Sequence, residues 1–307
     1  MSYQDDAWRA LGNRLAQYEL VVGKIYREAL IEIRDELQTL YDKYAVDGVL
    51  TRAEMSKANR LVTAERQLTA VVSQADRETL RLIDRMRPDM YNEAFFRQAW
   101  ALDMTTQVRI GWGTLSTDAI TEALASGYYD DARRLFPRNS RDTIREFLGR
   151  GLIRGKSYER MARDLGRAIN KTTGRALRII RTEGQTAQNA AADDVYTRAQ
   201  AAGVEGGPIW DATLDDRTRP TTTKQQLAGI NHRIMDQKQR GADGTFEMAN
   251  GEQARYPGDA NLSAANRINC RCNMRFEIEG YAPILRRSRR DGVIPFQTYE
   301  QWNPRVN

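Results

Sequence analysis

The sequence predicts an α+β protein, with long helices filling the N-terminal two thirds and a small loop-rich α+β module after them. Three observations predict it. Apolar residues recur at spacings of three and four through about the first two hundred positions, which is the period of one helix face. That period is mostly lost after Gly203, where glycine and proline punctuate short segments. Three late runs, Ile209–Leu214, Thr245–Met248 and Asn273–Glu279, then have the length and composition of short strands.

The first helix is read from Trp8, Leu11, Leu15, Tyr18, Val22, Ile25 and Ala29, continued by Ile33, Leu37, Leu40 and Tyr44. Arg9, Lys24, Arg27 and Glu28 are interspersed. A helix of about 35 residues is near 50 Å long, so it is expected to form an antiparallel hairpin or to pack on a neighbouring subunit. Asp47-Gly48 breaks the pattern. Thr51 and Glu54 have capping-box spacing and open a second helix, with Ala58, Leu61, Leu68, Val72, Ala75 and Leu82 on its apolar side and Pro88 expected to end or bend it.

Shorter helical segments are expected next. Tyr91–Met104 carries Phe95, Phe96 and Trp100, and Ile110-Gly-Trp112-Gly interrupts. Leu115–Ala125 and Ser140–Leu148 follow, the second led by a serine cap. Gly149-Arg-Gly151 and Gly155-Lys-Ser157 read as turns, without the spacing of a phosphate-binding loop. Met161, Leu165 and Ile169 mark another helix, and Ala176, Leu177, Ile179, Ile180, Ala187, Ala190, Ala191, Val195 and Tyr196 a further one. Arg181 and Glu183, two apart, splay on that helix and are placed to tie neighbouring segments by charge-assisted hydrogen bonds. The resulting division is a helical hairpin or arm over 1–87, a helical domain over 88–203, the loop-rich module over 204–280 and a basic and aromatic tail over 281–307.

Composition narrows the function. No run of about 18 apolar residues exists, which excludes a spanning helix, and the opening MSYQDDAW lacks the basic and apolar pattern of a secretory signal, so synthesis in the cytoplasm is expected. Forty-seven Lys plus Arg against forty-one Asp plus Glu give a net charge of +6. Arg286, Arg287, Arg289 and Arg290 cluster after Ile284-Leu285; they are suited to neutralise phosphates or to edge a packed segment. Phe296, Tyr299 and Trp302 in the tail suit a docking segment.

The chemically unusual residues converge between Trp210 and Cys272, which hold both cysteines and the single histidine. Asp215, Asp216, His232, Asp236, Asp259, Cys270 and Cys272 are all metal ligands by atom type. Zinc suits a module with little core. However, Cys270 and Cys272 have one residue between them where paired zinc cysteines usually have two. The alternative is a pair of buried thiols with a histidine that orders a loop. No cofactor is required, and zinc is the candidate. Asp216, Arg217 and Arg219, after a strand carrying Trp210, read as a sharp turn whose guanidinium groups bridge loop carbonyls and carboxylates.

Enzymatic patterns are poor. His232 with Asp236 could make a general base and its orienting partner, but no nucleophile in a recognisable context accompanies them. No dinucleotide fingerprint follows a strand. Arg181, Thr221-Thr222-Thr223 and Glu247 supply the residue types of a mono-ADP-ribosyltransferase without its paired carboxylate motif. A non-enzymatic protein is expected.

Taken together, Trp210-x-Ala-Thr-Leu-Asp-x-Arg217-Thr-Arg219-Pro, His232-Arg-x-Met-Asp236, Pro257-Gly-Asp259 and Ile268-Asn-Cys270-Arg-Cys272 resemble the C-terminal signature of the minor head proteins of tailed bacteriophages. This is the family of phage Mu F-like and SPP1 gene-7-like head morphogenesis proteins. The 151–157 region and Arg181-Thr182-Glu183 resemble its preceding helical part, so that the resemblance covers about residues 140–280. Two departures stand out. Family members often place the histidine a few residues after Arg-Pro and follow it with Leu-Asp-Gly, whereas here 221–231 intervene and Gln237 replaces the glycine. Some also have a Cys-x-x-Cys pair where this chain has Thr218 to Thr222.

The resemblance implies a virion component of few copies, inside the capsid near the portal vertex, with the portal protein, the major capsid protein or both as partners. It also implies a part in procapsid assembly and in the fate of DNA on ejection. The alternative within that setting is an internal head protein that binds packaged double-stranded DNA, with the four tail arginines facing DNA or an acidic portal surface.

Overall fold

The computed structural model describes residues 2–279, without the side chains of residues 152 and 153. The tail expectations, at Arg286, Arg287, Arg289, Arg290, Phe296, Tyr299 and Trp302, lie outside the described residues.

Helix α1, Tyr3–Tyr44, begins in a reciprocal cap. The Asp5 amide donates to Ser2 Oγ at 3.1 Å and the Ser2 amide donates to an Asp5 oxygen at 2.8 Å. It ends at a turn in which Asp47 and Gly48 take φ of 50° and 74° and Val46 and Val49 exchange backbone hydrogen bonds. Thr51 then caps α2, Arg52–Ser56, by accepting from the Glu54 amide at 3.1 Å. The expected long helix does not start here. Ala58 and Asn59 adopt φ of 46° and 56°, and Ala58 is exposed where an apolar face was expected. Glu54 pairs with Lys57 and Arg60.

The long helix is α3, Arg60–Thr106, and it runs on past Pro88. Tyr91–Met104, expected as a separate helix, is its last third, and the boundary drawn at 87/88 falls inside it. Residues 107–116 are non-helical, around the interruption expected at 110–113 and two residues into the helix expected from Leu115, and are tied back to α3: the Ile110 amide and Trp112 Nε1 both donate to Asp103 Oδ1, at 3.2 and 3.1 Å. Helix α4 is Thr117–Ala123, capped by Ser116.

Helix α5, Gly127–Ile153, absorbs the segment expected to begin at Ser140. Ser140 is no cap. It is buried within the helix, with Oγ donating to the Phe136 carbonyl at 3.1 Å. Gly149 and Gly151 are helical too, not a turn, and Gly151 serves contact: a Cβ there would lie 2.0 Å from Met161 Sδ. The two helices expected beyond Ser157 are one, α6, Tyr158–Ala201. Among the described residues, no helix is long and apolar enough to cross a membrane.

Among the described residues, the module after Gly203 has two small antiparallel sheets. Strand β1, Gly206–Asp211, pairs with β4, Asn273–Ile278, in a register that sets Trp210 opposite Met274 and Pro208 opposite Phe276. Strand β2, Phe246–Glu247, pairs with β3, Gln253–Ala254, which the sequence did not suggest. Helices α7, Thr223–Leu227, and α8, Ala264–Arg267, are single turns. The first strand ends earlier than expected, since Leu214 is exposed with φ of 53°.

The chain forms two compact units. One comprises 17–84 and 127–180 and is all helical; Tyr26, Leu37, Leu68, Val72, Ile83, Ile144, Met161, Leu165 and Ile169 are in its core. The other comprises 2–16, 85–126 and 181–279 and contains the sheets. Its core includes Leu11, Phe95, Ala99, Leu102, Val195, Tyr196, Trp210, Phe246, Met274 and Phe276.

Candidate functional site

Strand β4 has β1 on one side only, so its outer backbone groups need other partners once buried. Side chains of α1 and α6 supply them. Gln4 Nε2 donates to the Phe276 carbonyl at 2.8 Å while Gln4 Oε1 accepts from the Phe276 amide at 2.9 Å. Trp8 Nε1 donates to the Met274 carbonyl at 3.1 Å. Asn189 accepts from the Met274 amide at 3.1 Å and donates to the Cys272 carbonyl at 3.1 Å, which Gln185 also reaches at 3.0 Å.

The C-terminal half of α6 continues in this manner. Thr182 Oγ1 accepts from the Asn269 amide at 3.1 Å, and Thr186 Oγ1 donates to the Gly258 carbonyl at 2.8 Å. Asp193 is buried and holds Arg240 and Arg255. Glu183, also buried, lies 3.0 Å from both Arg87 Nε and Arg267 Nη2, and Arg267 further donates to Ser126 Oγ at 2.9 Å. Glu183 thus ties segments together as expected, while Arg181 is exposed.

These anchors bring the two ends of the motif together. His232, Cys270 and Cys272 are all buried, and their ligand atoms lie within 4.8 Å of one another. His232 Nδ1 is 3.6 Å from each Sγ. On the other side of the ring, Nε2 is 3.1 Å from Asn266 Oδ1, and the Asn266 amide nitrogen donates to Asn250 Oδ1 at 3.1 Å. That arrangement places the ring proton on Nε2 and leaves the Nδ1 lone pair facing the sulfurs. Trp210, fully buried, packs edge-on against the His232 ring with centroids 5.7 Å apart and against the Phe246 ring at 5.4 Å. A hydrogen bond with Cys272, aided by the guanidinium groups of Arg219 and Arg271, pulls the Cys270 thiol below its ordinary value. The same bond from the other side, with burial, pushes Cys272 well above it.

The surrounding loops are fixed as the arginine reading expected, with one exchange of roles. Asp215, not Asp216, is the carboxylate of the turn. It takes both ends of the Arg271 guanidinium and accepts from the Arg217 amide at 2.9 Å, and these bonds hold its carboxyl well below the usual carboxylate range. Asp216 points to solvent. Arg217 is exposed, contributing mainly its backbone. Arg219 bridges the carbonyls of Asn266 and Ile268, and its own carbonyl accepts from the His232 amide at 3.0 Å.

Asp236 and Asp259 are loop-ordering carboxylates away from the histidine cluster. Asp236 accepts from the Ala212 amide at 3.0 Å, and Asp259 from the amides of Arg255 and Asn261 at 2.7 and 2.9 Å. Gln237, which replaces a glycine of the signature, has φ of 61°, the left-handed region where glycine is unstrained. Asn266, Asn189, Gln185 and Asp193 were missed. The available signal was the polarity of 182–193, spread around the helix instead of lying on one face. The arrangement considered for ADP-ribosyl transfer is not formed: Thr222 caps α7 and Thr223 begins it, so no hydroxyl-bearing strand exists there.

Residues 142–275 match the family described as Phage Mu protein F like protein, which bears out the resemblance read from Trp210 through Cys272. A particular relative extends the likeness over the whole chain: the "Minor head protein GP7" of Bacillus phage SPP1 is 27% identical over 308 residues, covering 97% of this chain and 96% of that protein. The "NAD(+)--arginine ADP-ribosyltransferase EFV" of Enterococcus faecalis (strain ATCC 700802 / V583) is 23% identical over 283 residues, covering 91% of this chain but 55% of that protein. The chain therefore spans about half the length of this second relative. No solved structure matches.

Proposed function

We propose that this protein is a non-enzymatic structural component of a bacteriophage head, seated inside the capsid near the portal vertex and binding the portal protein, the inner capsid surface or both. The supporting observation is the end-to-end similarity to a phage minor head protein, with nearly all of each chain aligned. The helical unit supplies long surfaces for protein contact, and the loop module is held rigid by buried side-chain bonds to its backbone. Rigid presentation of loops suits a docking role. Transferase activity is not carried over from the longer relative, 45% of whose length lies outside the alignment, because Thr222 and Thr223 cap and begin a helical turn instead of lying on a hydroxyl-bearing strand.

An affinity-tagged full chain expressed during infection tests the reading. It is expected to co-purify with heads, to remain after gentle removal of DNA, and to pull down portal protein in preference to tail components. Recovery only in the soluble fraction, with heads assembling normally in its absence, would overturn it. The DNA-binding reading rests on Arg286, Arg287, Arg289 and Arg290. Reversing those charges should weaken DNA binding and flatten its salt dependence; an unchanged slope removes the tail from any DNA interface.

A further inference from the structure

We infer that His232, Cys270 and Cys272 form a zinc-binding site, with His232 Nδ1 and the two Sγ atoms as protein ligands and a water as the fourth. The distances fit. With zinc–sulfur and zinc–nitrogen bonds of about 2.3 and 2.0 Å, a tetrahedral site separates a sulfur from a nitrogen ligand by about 3.5 Å, against 3.6 Å from Nδ1 to each Sγ.

The nitrogen is presented correctly. Asn266 takes the Nε2 proton and is itself oriented by Asn250, an outer contact of the kind that fixes the tautomer of a ligating histidine. Charge fits as well, because two thiolates neutralise a divalent cation and a neutral assembly is tolerated where all three side chains are buried. The carbonyls of residues 266 and 268 are held by Arg219 and that of 272 by Gln185 and Asn189, so the backbone around both cysteines is fixed independently of any ion.

Beside the cluster lies a cavity of about 10 Å³, lined by His232, Cys270 and Cys272 together with Thr218, Arg219 and Arg271. That is room for about one water. The aspartates are excluded as ligands: Asp215 is committed to Arg271, Asp216 faces solvent, and Asp236 and Asp259 bind backbone amides elsewhere.

The test is metal analysis of the reduced, full-length protein after exposure to zinc and dialysis. About one zinc per chain is expected, and cobalt titration should give an intense thiolate-to-metal charge-transfer band. X-ray absorption at the zinc edge should show two sulfur neighbours and two lighter ones; a four-sulfur shell would mean that two chains share the ion and would overturn the site as drawn. Cys270→Ser with Cys272→Ser should abolish the cobalt band, Asn266→Ala should weaken zinc affinity about 10- to 100-fold with the ligands intact, and Asp216→Asn should change nothing. Should the ligand variants fail to fold, the wild type decides: a strong chelator is expected to open both thiols to alkylation and to lower the unfolding temperature. A folded wild-type chain that takes up neither zinc nor cobalt overturns the inference.

Discussion

The two halves of α6 bury their side chains by different rules. Over residues 158–180 one stripe is buried, with Met161, Leu165, Ile169, Ala176 and Ile180 inside and charged residues such as Glu159, Arg160 and Lys171 outside. Over 181–201 almost every face is buried, and many of the enclosed groups are polar: Thr182, Glu183, Gln185, Thr186, Gln188, Asn189 and Asp193. An apolar stripe needs only another apolar surface, whereas a helix that is also enclosed by loops must match their carbonyls and amides bond for bond. The first half shows how a helix joins a core. The second shows how a helix can serve as the spine of a module with little core of its own.

Two buried carboxylates give the largest test of that difference. Glu183 in the enclosed half is matched by Arg87 and Arg267. Glu183→Ala should cost about 3–5 kcal/mol in chemical denaturation, since it leaves buried guanidinium charge unpaired, and the module should become protease-sensitive. A loss below about 1 kcal/mol would mean that the network behaves as a surface ion pair.

Asp76 in the helical unit is equally buried but receives a hydroxyl, Tyr26 Oη at 2.7 Å, in place of a cation of that kind. Burial pushes its pKa up from 3.8 to about 6. Because the folded form binds the proton more tightly than the unfolded form, this residue's contribution is fully present below about pH 4 and is lost as pH rises through about 6. The loss is about 3 kcal/mol. Unfolding measured at pH 5 and pH 7 should therefore show Asp76→Asn gaining on the wild type as pH rises. A constant difference would show that the carboxyl titrates normally.

Smaller effects sharpen the contrast. Asn189→Ala removes the partner of the Met274 amide and one of two donors to the Cys272 carbonyl. A cost of about 1–3 kcal/mol is expected, with faster amide exchange confined to residues 272–276. Gln237→Gly relieves a left-handed residue. It should stabilise by up to about 1 kcal/mol, the backbone relief being offset in part by glycine's greater freedom in the unfolded chain. A destabilised variant would show that the Gln237 side chain contributes more than its backbone strain costs.

Legibility in the sequence followed the same division. The stripes of α1, of 158–180 and of the aromatic part of α3 were readable because a one-sided contact imposes a period on the chain. Helix lengths were less so: Pro88 and Ser140 read as boundaries, yet α3 and α5 run through both, because tertiary burial outweighs local propensity. In the module, Trp210, His232, Cys270 and Cys272 stood out by residue type. Asp215 and Asp216 could not be distinguished by type, and Asn266 carried no signal at all.

The amino-acid order by itself thus determined the α+β class, the change of texture at Gly203 and the set of residues able to do chemistry. Those properties follow from periodicity and from atom types, which belong to residues singly or to near neighbours. Only the tertiary structure decided that 232 meets 270 and 272, that Asn266 orients the imidazole and that three of the aspartates lie apart from it. Such pairings join positions 34 to 40 residues apart, and they are set by which loop carbonyls and amides α6 can satisfy, a condition that exists only once the chain has folded around it.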